Sequence, residues 1–134
     1  FDKAKELLGN PITLALTVDE KLKDLAQIIT KSWEEVNVKT NIQTTSSLPD
    51  NFQAFLEIVR LPIDPDQYLL WHSTQTTNIT GYNNPKIDKL LEDGRKTQDR
   101  LERERIYGDF QKYLVDDAPA AFLYYPTIYT VKRK

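Results

Sequence analysis

Apolar and polar residues alternate from Ile12 to Val18, which is the period of a β-strand with one buried face. The apolar residues of the next segment recur at steps of three and four and predict an amphipathic helix. They are Leu22, Leu25, Ala26, Ile29, Trp33 and Val36. The β-branched segment from Val38 to Thr45 predicts a second strand. A strand, a helix and a strand in succession predict a βαβ unit with parallel strands.

Capping residues mark where the helices begin. Thr17 starts a capping box, so we expect it to cap the helix that carries Trp33. We expect the Trp33 side chain to lie in the core. Asn84 precedes Pro85, and this pair predicts the start of another helix. Asp99 predicts the cap of a long helix that continues to about Val115.

Two further apolar segments complete the predicted sheet. Ala54 to Leu61 is apolar almost throughout and predicts a central third strand, which two layers would cover. Ala120 to Val131 predicts a closing strand, which Pro126 interrupts or confines to an edge. We therefore predict an α/β fold over residues 1–134: a single domain with a mixed sheet of about four strands, a βαβ unit and packed helices.

Composition excludes several classes of protein. Net charge is -2, with 18 basic and 20 acidic residues, so the chain lacks the basic excess of a nucleic-acid-binding protein. It contains no Cys, which excludes disulfides and thiolate chemistry. It also contains no Met and begins with Phe1, so we expect a segment of a longer protein.

Residues suited to catalysis are few. His72 is the single histidine, and a small hydrolase would need it beside Asp64 or Asp66 as the orienting carboxylate. The proline between these two acids favours a turn and a helix cap instead. No nucleophile elbow, phosphate-binding loop or calcium loop is present, so we predict no cofactor and no metal ligands. The hydrolase stays an alternative hypothesis.

Trp71 has two interpretations. It follows the carboxyl end of the predicted third strand, where open α/β sheets bind ligands, and aromatic faces contact peptides and sugars well. It would equally serve to pack beneath the polar loop that follows. A third hypothesis for the whole chain, a self-contained interaction module, would require a flat apolar surface at these loops.

Several short motifs together resemble the extracytoplasmic solute-binding proteins of ABC importers, in the oligopeptide, dipeptide and nickel-binding family (family 5). Their order and spacing extend over nearly the whole chain. The motifs are Ala4 to Gly9, Asp64-Pro65-Asp66 with Tyr68, Trp71-His72-Ser73, Gly81 to Pro85 with Asp88, Leu90 and Leu91, Arg105 with Tyr107, and Asp116 to Pro119.

The resemblance implies one lobe of a periplasmic-binding-protein-like (type II) fold, excised from a larger two-lobed protein that closes on its ligand. It implies binding of a peptide-like solute or another small molecule for ABC-transporter uptake, and no enzyme activity. The implied partners are the solute, the other lobe of the parent and a membrane permease. The implied location is extracytoplasmic, either periplasmic or at the cell surface through a lipid anchor on the parent.

The same resemblance bears on the ligand site. Peptide binders of this family often carry a Trp, and three residues later an Asp that holds the ligand's ammonium group; Ile58 and Leu61 occupy these places here. The ammonium clamp is therefore absent at these positions. The residues that we expect to bind ligand, on an open face that Trp71 lines, are Arg60, Leu61, Asp64, Trp71 and His72.

Overall fold

The structure is a computed structural model that describes residues 2–127 and 130–132. It divides into two compact units, Phe1–Arg60 and Leu61–Lys134. Each unit has a hydrophobic core of its own, while a single domain over residues 1–134 stays a prediction.

The first unit is built on a parallel sheet. Its elements are α1 (Asp2–Leu8), β1 (Ile12–Asp19), a 3₁₀ turn (Glu20–Leu22), α2 (Lys23–Glu34), β2 (Val38–Thr45) and β3 (Ala54–Leu56). The strand order is β2-β1-β3, and β1 runs parallel to both neighbours. The predicted βαβ unit, β1-α2-β2, is therefore confirmed.

The core of the first unit lies between the sheet and α2. Its buried residues are Leu16, Val18, Ala26 and Leu56. Trp33 is only partly buried, so the prediction of a core position for it is wrong. The predicted cap is also wrong: Asp19, not Thr17, accepts a hydrogen bond from the Lys21 backbone N–H at 2.8 Å, and Thr17 is buried within β1.

The third strand is shorter than predicted. It pairs with β1 only from Ala54 to Leu56, and the residues from 57 to 61 continue without strand structure. Ile58, Val59 and Leu61 are about half-exposed, at 54%, 50% and 45%. An apolar run predicts a buried strand only where neighbouring strands cover it, and the described residues provide no strand partner beyond Leu56.

The second unit is helical. It contains α3 (Tyr68–Trp71), α4 (Pro85–Lys96) and α5 (Arg100–Asp117). The predicted caps of the two longer helices are confirmed, because Asn84 accepts from the Lys86 N–H and Asp99 from the Glu102 N–H. The core residues of this unit are Trp71, Ile87, Leu91, Tyr107, Phe110 and Leu114.

The closing strand that was predicted from Ala120 to Val131 is not formed by the described residues of that segment. Phe122 and Tyr125 are 62% and 84% exposed. Ile128 and Tyr129 lie outside the described residues. The α/β class is confirmed, but the described sheet has three parallel strands, not about four in a mixed arrangement. Within the described ranges no helix has the length and apolar character needed to cross a bilayer.

Close packing joins α4 to α5 at Gly94. A Cβ placed on Gly94 would lie 2.8 Å from Cζ of Tyr107, well inside van der Waals contact. Gly94 does not end its helix, because α4 continues to Lys96. The absent side chain therefore serves the approach of the Tyr107 ring.

We predict that Gly94→Ala lowers the free energy of unfolding by about 1–3 kcal/mol, since the added methyl overpacks the contact with Tyr107. Gly108→Ala is the matched control, because a Cβ there meets nothing within 4 Å. The control should gain up to about 1 kcal/mol from helix propensity. Urea denaturation of both variants measures the difference, and equal effects would contradict the proposed contact.

Candidate functional site

A cavity of about 340 Å³ lies in the first unit at the carboxyl ends of its three strands. Asp19, Thr45 and Leu56 are the last residues of β1, β2 and β3, and all three line it. Because all the strands run parallel, their carboxyl ends meet at the same edge of the sheet. Open α/β sheets bind ligands at this edge, and the volume is that of a small-molecule site.

Hydroxyl and apolar side chains line this cavity. The hydroxyls follow β2, where Thr45 Oγ1 donates to the Ser47 carbonyl at 2.7 Å and accepts from the Ser47 N–H at 3.3 Å. The apolar lining comprises Leu22, Leu48, Phe55, Leu56 and Ile58. This combination offers a ligand both apolar contact area and hydrogen-bonding groups.

Charged side chains of both signs complete the lining. Asp19 is partly committed to capping the 3₁₀ turn, while Lys21 and Glu57 form no ion pair with another described residue. Across the described residues, no group of three or more His, Asp or Glu side chains is arranged to hold a metal ion. The cavity is thus equipped to bind a polar organic molecule.

Trp71 lies in the core of the second unit. It is 9% exposed, and its ring packs edge-on against Tyr82 and Phe122 at centroid distances of 6.3 and 6.1 Å. The packing interpretation therefore describes its position among the described residues. Contact between Trp71 and a ligand stays a prediction.

His72 is buried beside Trp71. Its ring is 4% exposed and stacks on Tyr68 with centroids 4.1 Å apart. Nδ1 accepts from the Thr74 backbone N–H at 3.3 Å and lies 2.9 Å from Thr74 Oγ1. Nε2 lies 3.5 Å from a Glu92 carboxylate oxygen but has no hydrogen-bond partner. His72 is thus held inside the unit rather than presented to a substrate.

Neither acid that the hydrolase hypothesis requires contacts His72. Asp64 accepts two hydrogen bonds from the Arg103 guanidinium, at 2.6 and 3.1 Å, and Arg103 lowers the pKa of this carboxyl. Asp66 accepts from Arg95 Nε at 2.7 Å and from the Tyr68 N–H at 3.0 Å. These acids line a second cavity, of about 440 Å³, as members of ion pairs and caps.

The predicted ligand-binding residues therefore have different surroundings, each within its own unit. Trp71 and His72 are neighbours in a core, Asp64 is paired with Arg103, and Arg60 and Leu61 are exposed. Sequence reasoning missed the hydroxyls after β2 and the residues directly after β3. The signal was the carboxyl end of the third strand, but the prediction placed that end at Leu61 instead of Leu56.

A hydrogen-bonded clamp fixes the loop before α4. The Tyr82 hydroxyl donates to the Asp117 carboxylate at 2.5 Å, and Asn84 Nδ2 donates to the same oxygen at 2.7 Å. Burial, together with Asp117, raises the pKa of Tyr82 to about 12. The Tyr82 hydroxyl in turn lowers the pKa of Asp117. The clamp joins this loop to the carboxyl end of α5.

Known proteins resemble this chain in sequence and in fold. No protein-family model matches it. Protein XP55 of Streptomyces lividans is 41% identical over 66 residues, which cover 45% of this chain and 12% of that protein. The oligopeptide-binding protein AppA of Bacillus subtilis, solved with a nonapeptide, has a TM-score of 0.77 and 26% identity over 85% of this chain. The ABC transporter substrate-binding protein CtaP of Listeria monocytogenes has a TM-score of 0.71 and 26% identity over 79%.

The chain has the fold of a lobe of an ABC-importer solute-binding protein. The resemblance drawn from the motifs is therefore confirmed. The chain spans 26% of the AppA structure and 25% of the CtaP structure, so it corresponds to about a quarter of such a protein.

We predict that the Tyr82–Asp117 clamp stabilises the fold below pH 10 and loses its effect as the pH rises to about 12. The sign follows from the raised pKa: above pH 10 the unfolded chain releases the phenol proton first, and this favours unfolding. The difference in unfolding free energy between wild type and Tyr82→Phe should shrink over this range.

The matched control is Tyr124→Phe, because Tyr124 is 64% exposed. Urea denaturation at a series of pH values measures both variants. A gap between wild type and Tyr82→Phe that stays constant from neutral pH to pH 12 would show that the clamp does not hold the phenol proton.

Proposed function

We propose that this chain is the ligand-binding lobe of an ABC-importer solute-binding protein, and that it binds a peptide-like solute or another small molecule for uptake. The cavity at the carboxyl ends of β1, β2 and β3 carries this proposal. It offers an apolar surface, hydroxyls and charges at the edge where α/β folds bind ligands. AppA and CtaP, which share this fold, are a peptide-binding protein and an ABC transporter substrate-binding protein.

The proposal includes the partners and the location. The other lobe of the parent would cover the ligand from the opposite side, and a membrane permease would receive it. The parent would act outside the cytoplasm, in the periplasm or at the cell surface through a lipid anchor. We propose no role in nucleic-acid binding, which the net charge of -2 supports.

The proposed ligand-binding residues include exposed and buried side chains. Arg60 and Leu61 have exposed side chains that are suited to direct contact with a ligand. We retain Asp64, Trp71 and His72 as proposed ligand-binding residues. Asp64 would then exchange part of its pairing with Arg103, and the two buried rings would be reached only after local rearrangement.

We propose that the chain is not an enzyme. The similarity to binding proteins supports this, and so does the placement of His72. Its nearest hydroxyl is that of Thr74, its carboxylate neighbours are Asp88 and Glu92, and its ring is 4% exposed. A substrate carbonyl would have to displace the Tyr68 ring that stacks on it.

We predict that the chain alone binds short peptides with a Kd weaker than about 100 μM. If the whole protein bound at ~1 μM, half of that free energy, about −4 kcal/mol, would correspond to a roughly millimolar Kd. Titration of the ¹⁵N-labelled chain with tripeptides and oligosaccharides, followed by NMR, should shift the amide signals of Ser46, Ser47 and Leu48. Micromolar binding would show that the site is complete within this chain. The absence of any shift up to the solubility limit of the peptides would contradict the proposal.

We predict no hydrolysis of p-nitrophenyl esters above the buffer rate. The comparison is between wild type and His72→Gln, which keeps a polar side chain of similar size. A turnover that is present in wild type and absent in a folded His72→Gln variant would replace the binding function with a hydrolase.

A further inference from the structure

Three charged side chains line the cavity of the first unit without an ionic partner among the described residues: Asp19, Lys21 and Glu57. Lys21 and Glu57 do not pair with each other, nor with any other residue in the described ranges. Neighbouring charged residues are paired, since Glu20 of the 3₁₀ turn and Lys23 of α2 form a salt bridge of 3.1 Å. Asp19 is partly engaged, because one of its oxygens accepts from the Lys21 N–H. The cavity therefore carries one available ammonium and one wholly available carboxylate, that of Glu57.

The backbone fixes where these two charges stand. Val18 of β1 pairs in register with Leu56 of β3, so Glu57 and Asp19 are the next residues at the ends of two adjacent strands. Neighbouring strands are about 4.8 Å apart, which places the Asp19 backbone close to that of Glu57. Lys21 follows two residues later, on the 3₁₀ turn that the Asp19 carboxylate caps.

The electrostatics of the cavity are therefore asymmetric. Glu57 and Asp19 make the ends of β1 and β3 negative, although the Lys21 N–H already occupies one Asp19 oxygen. Lys21 contributes the positive charge, and Leu22, Leu48 and Ile58 provide apolar lining in the same cavity. A charged group without an ionic partner can bind an opposite charge of a ligand in place of water, because no internal ion pair has to break first.

We propose that Glu57 and Lys21 are the charge-selecting residues of this cavity. Glu57 would receive a cationic group of the ligand and Lys21 an anionic group, with an apolar body between them. The inference rests on the proposed function and adds to it the charge that the ligand must carry and the residues that recognise it.

The test uses three probes with the same apolar body: the tripeptide Ala-Leu-Ala with free termini, its N-acetyl form and its C-terminal amide. The first carries both charges, the second lacks the cation and the third lacks the anion. We expect the 134-residue chain to bind the free tripeptide about threefold to fivefold more tightly than either blocked form, which is the size expected for exposed charge pairs. NMR titration measures the three dissociation constants.

Two variants separate the roles. Glu57→Gln should abolish the preference for the free amino terminus and keep the preference for the free carboxylate, and Lys21→Gln should do the reverse. The matched controls are Glu20→Gln and Lys23→Gln, which remove neighbouring charges that do not line the cavity. The controls should keep both preferences, and circular dichroism verifies that each variant is folded.

The outcomes distinguish this inference from the proposed function. If wild type binds the probes but Glu57→Gln and Lys21→Gln weaken all three equally or leave them unchanged, the charge-selecting role is overturned and the binding function stands. If the control variants lose the preferences as well, the effect is one of net charge and the role is again overturned. If wild type binds no probe at any concentration up to the solubility limit of the peptides, both the inference and the proposed function are overturned.

Discussion

The parallel pairing of β1 with both of its neighbours is the constraint on which the first unit depends. Parallel strands need a crossover connection, and α2 provides it between β1 and β2 while covering one face of the sheet. The pairing also brings the ends of all three strands to one edge. Each strand ends in a different kind of residue, an acid, a hydroxyl and an apolar side chain, so the chemical diversity of the cavity follows from the topology.

Carboxylates organise the second unit. Asp99 caps the start of α5. Asp117 holds the loop before α4 through Tyr82 and Asn84, and Asp88 accepts from both the N–H and the hydroxyl of Ser73. Each of these acids satisfies donors at a helix start or in a loop, which would otherwise lose hydrogen bonds on folding. Asp64 and Asp66, which invite a catalytic interpretation in the sequence, also have structural partners in Arg103 and Arg95, and a chemical role would compete with those bonds.

Local signals in the sequence predicted the helices and strands well. Features that depend on contacts between distant residues were not predicted. The bounds of β2 and the start of β1 agree with the pattern of the sequence, as do the caps Asn84 and Asp99, because periodicity and capping depend on residues near in sequence. The length of β3 depends instead on which strand lies beside it. Ile58 and Val59 have the composition of a strand whether or not a partner is present, and so does the segment after Pro119.

The candidate site was difficult to predict for the same reason. The burial of Trp71 depends on Tyr82 and Phe122, which are distant in sequence, and nothing in the residues around Trp71 distinguishes a core tryptophan from an exposed one. The rule that ligands bind at the carboxyl ends of strands leads to the cavity of the first unit. The sequence places the end of β3 at Leu61, five residues beyond its end at Leu56 in the structure.

The sheet order β2-β1-β3 also has a consequence for the kinetics of folding. To form this sheet, Ile12 must pair with Val38 and Leu16 with Ala54. The chain must therefore close large loops, and lose the corresponding entropy, before any strand contact compensates for that loss. The hairpin of α4 and α5, joined through residues 97–99, forms from contacts that are close in sequence. During synthesis or refolding, the strands of the first unit are therefore the segments that stay unpaired longest and are most prone to aggregate.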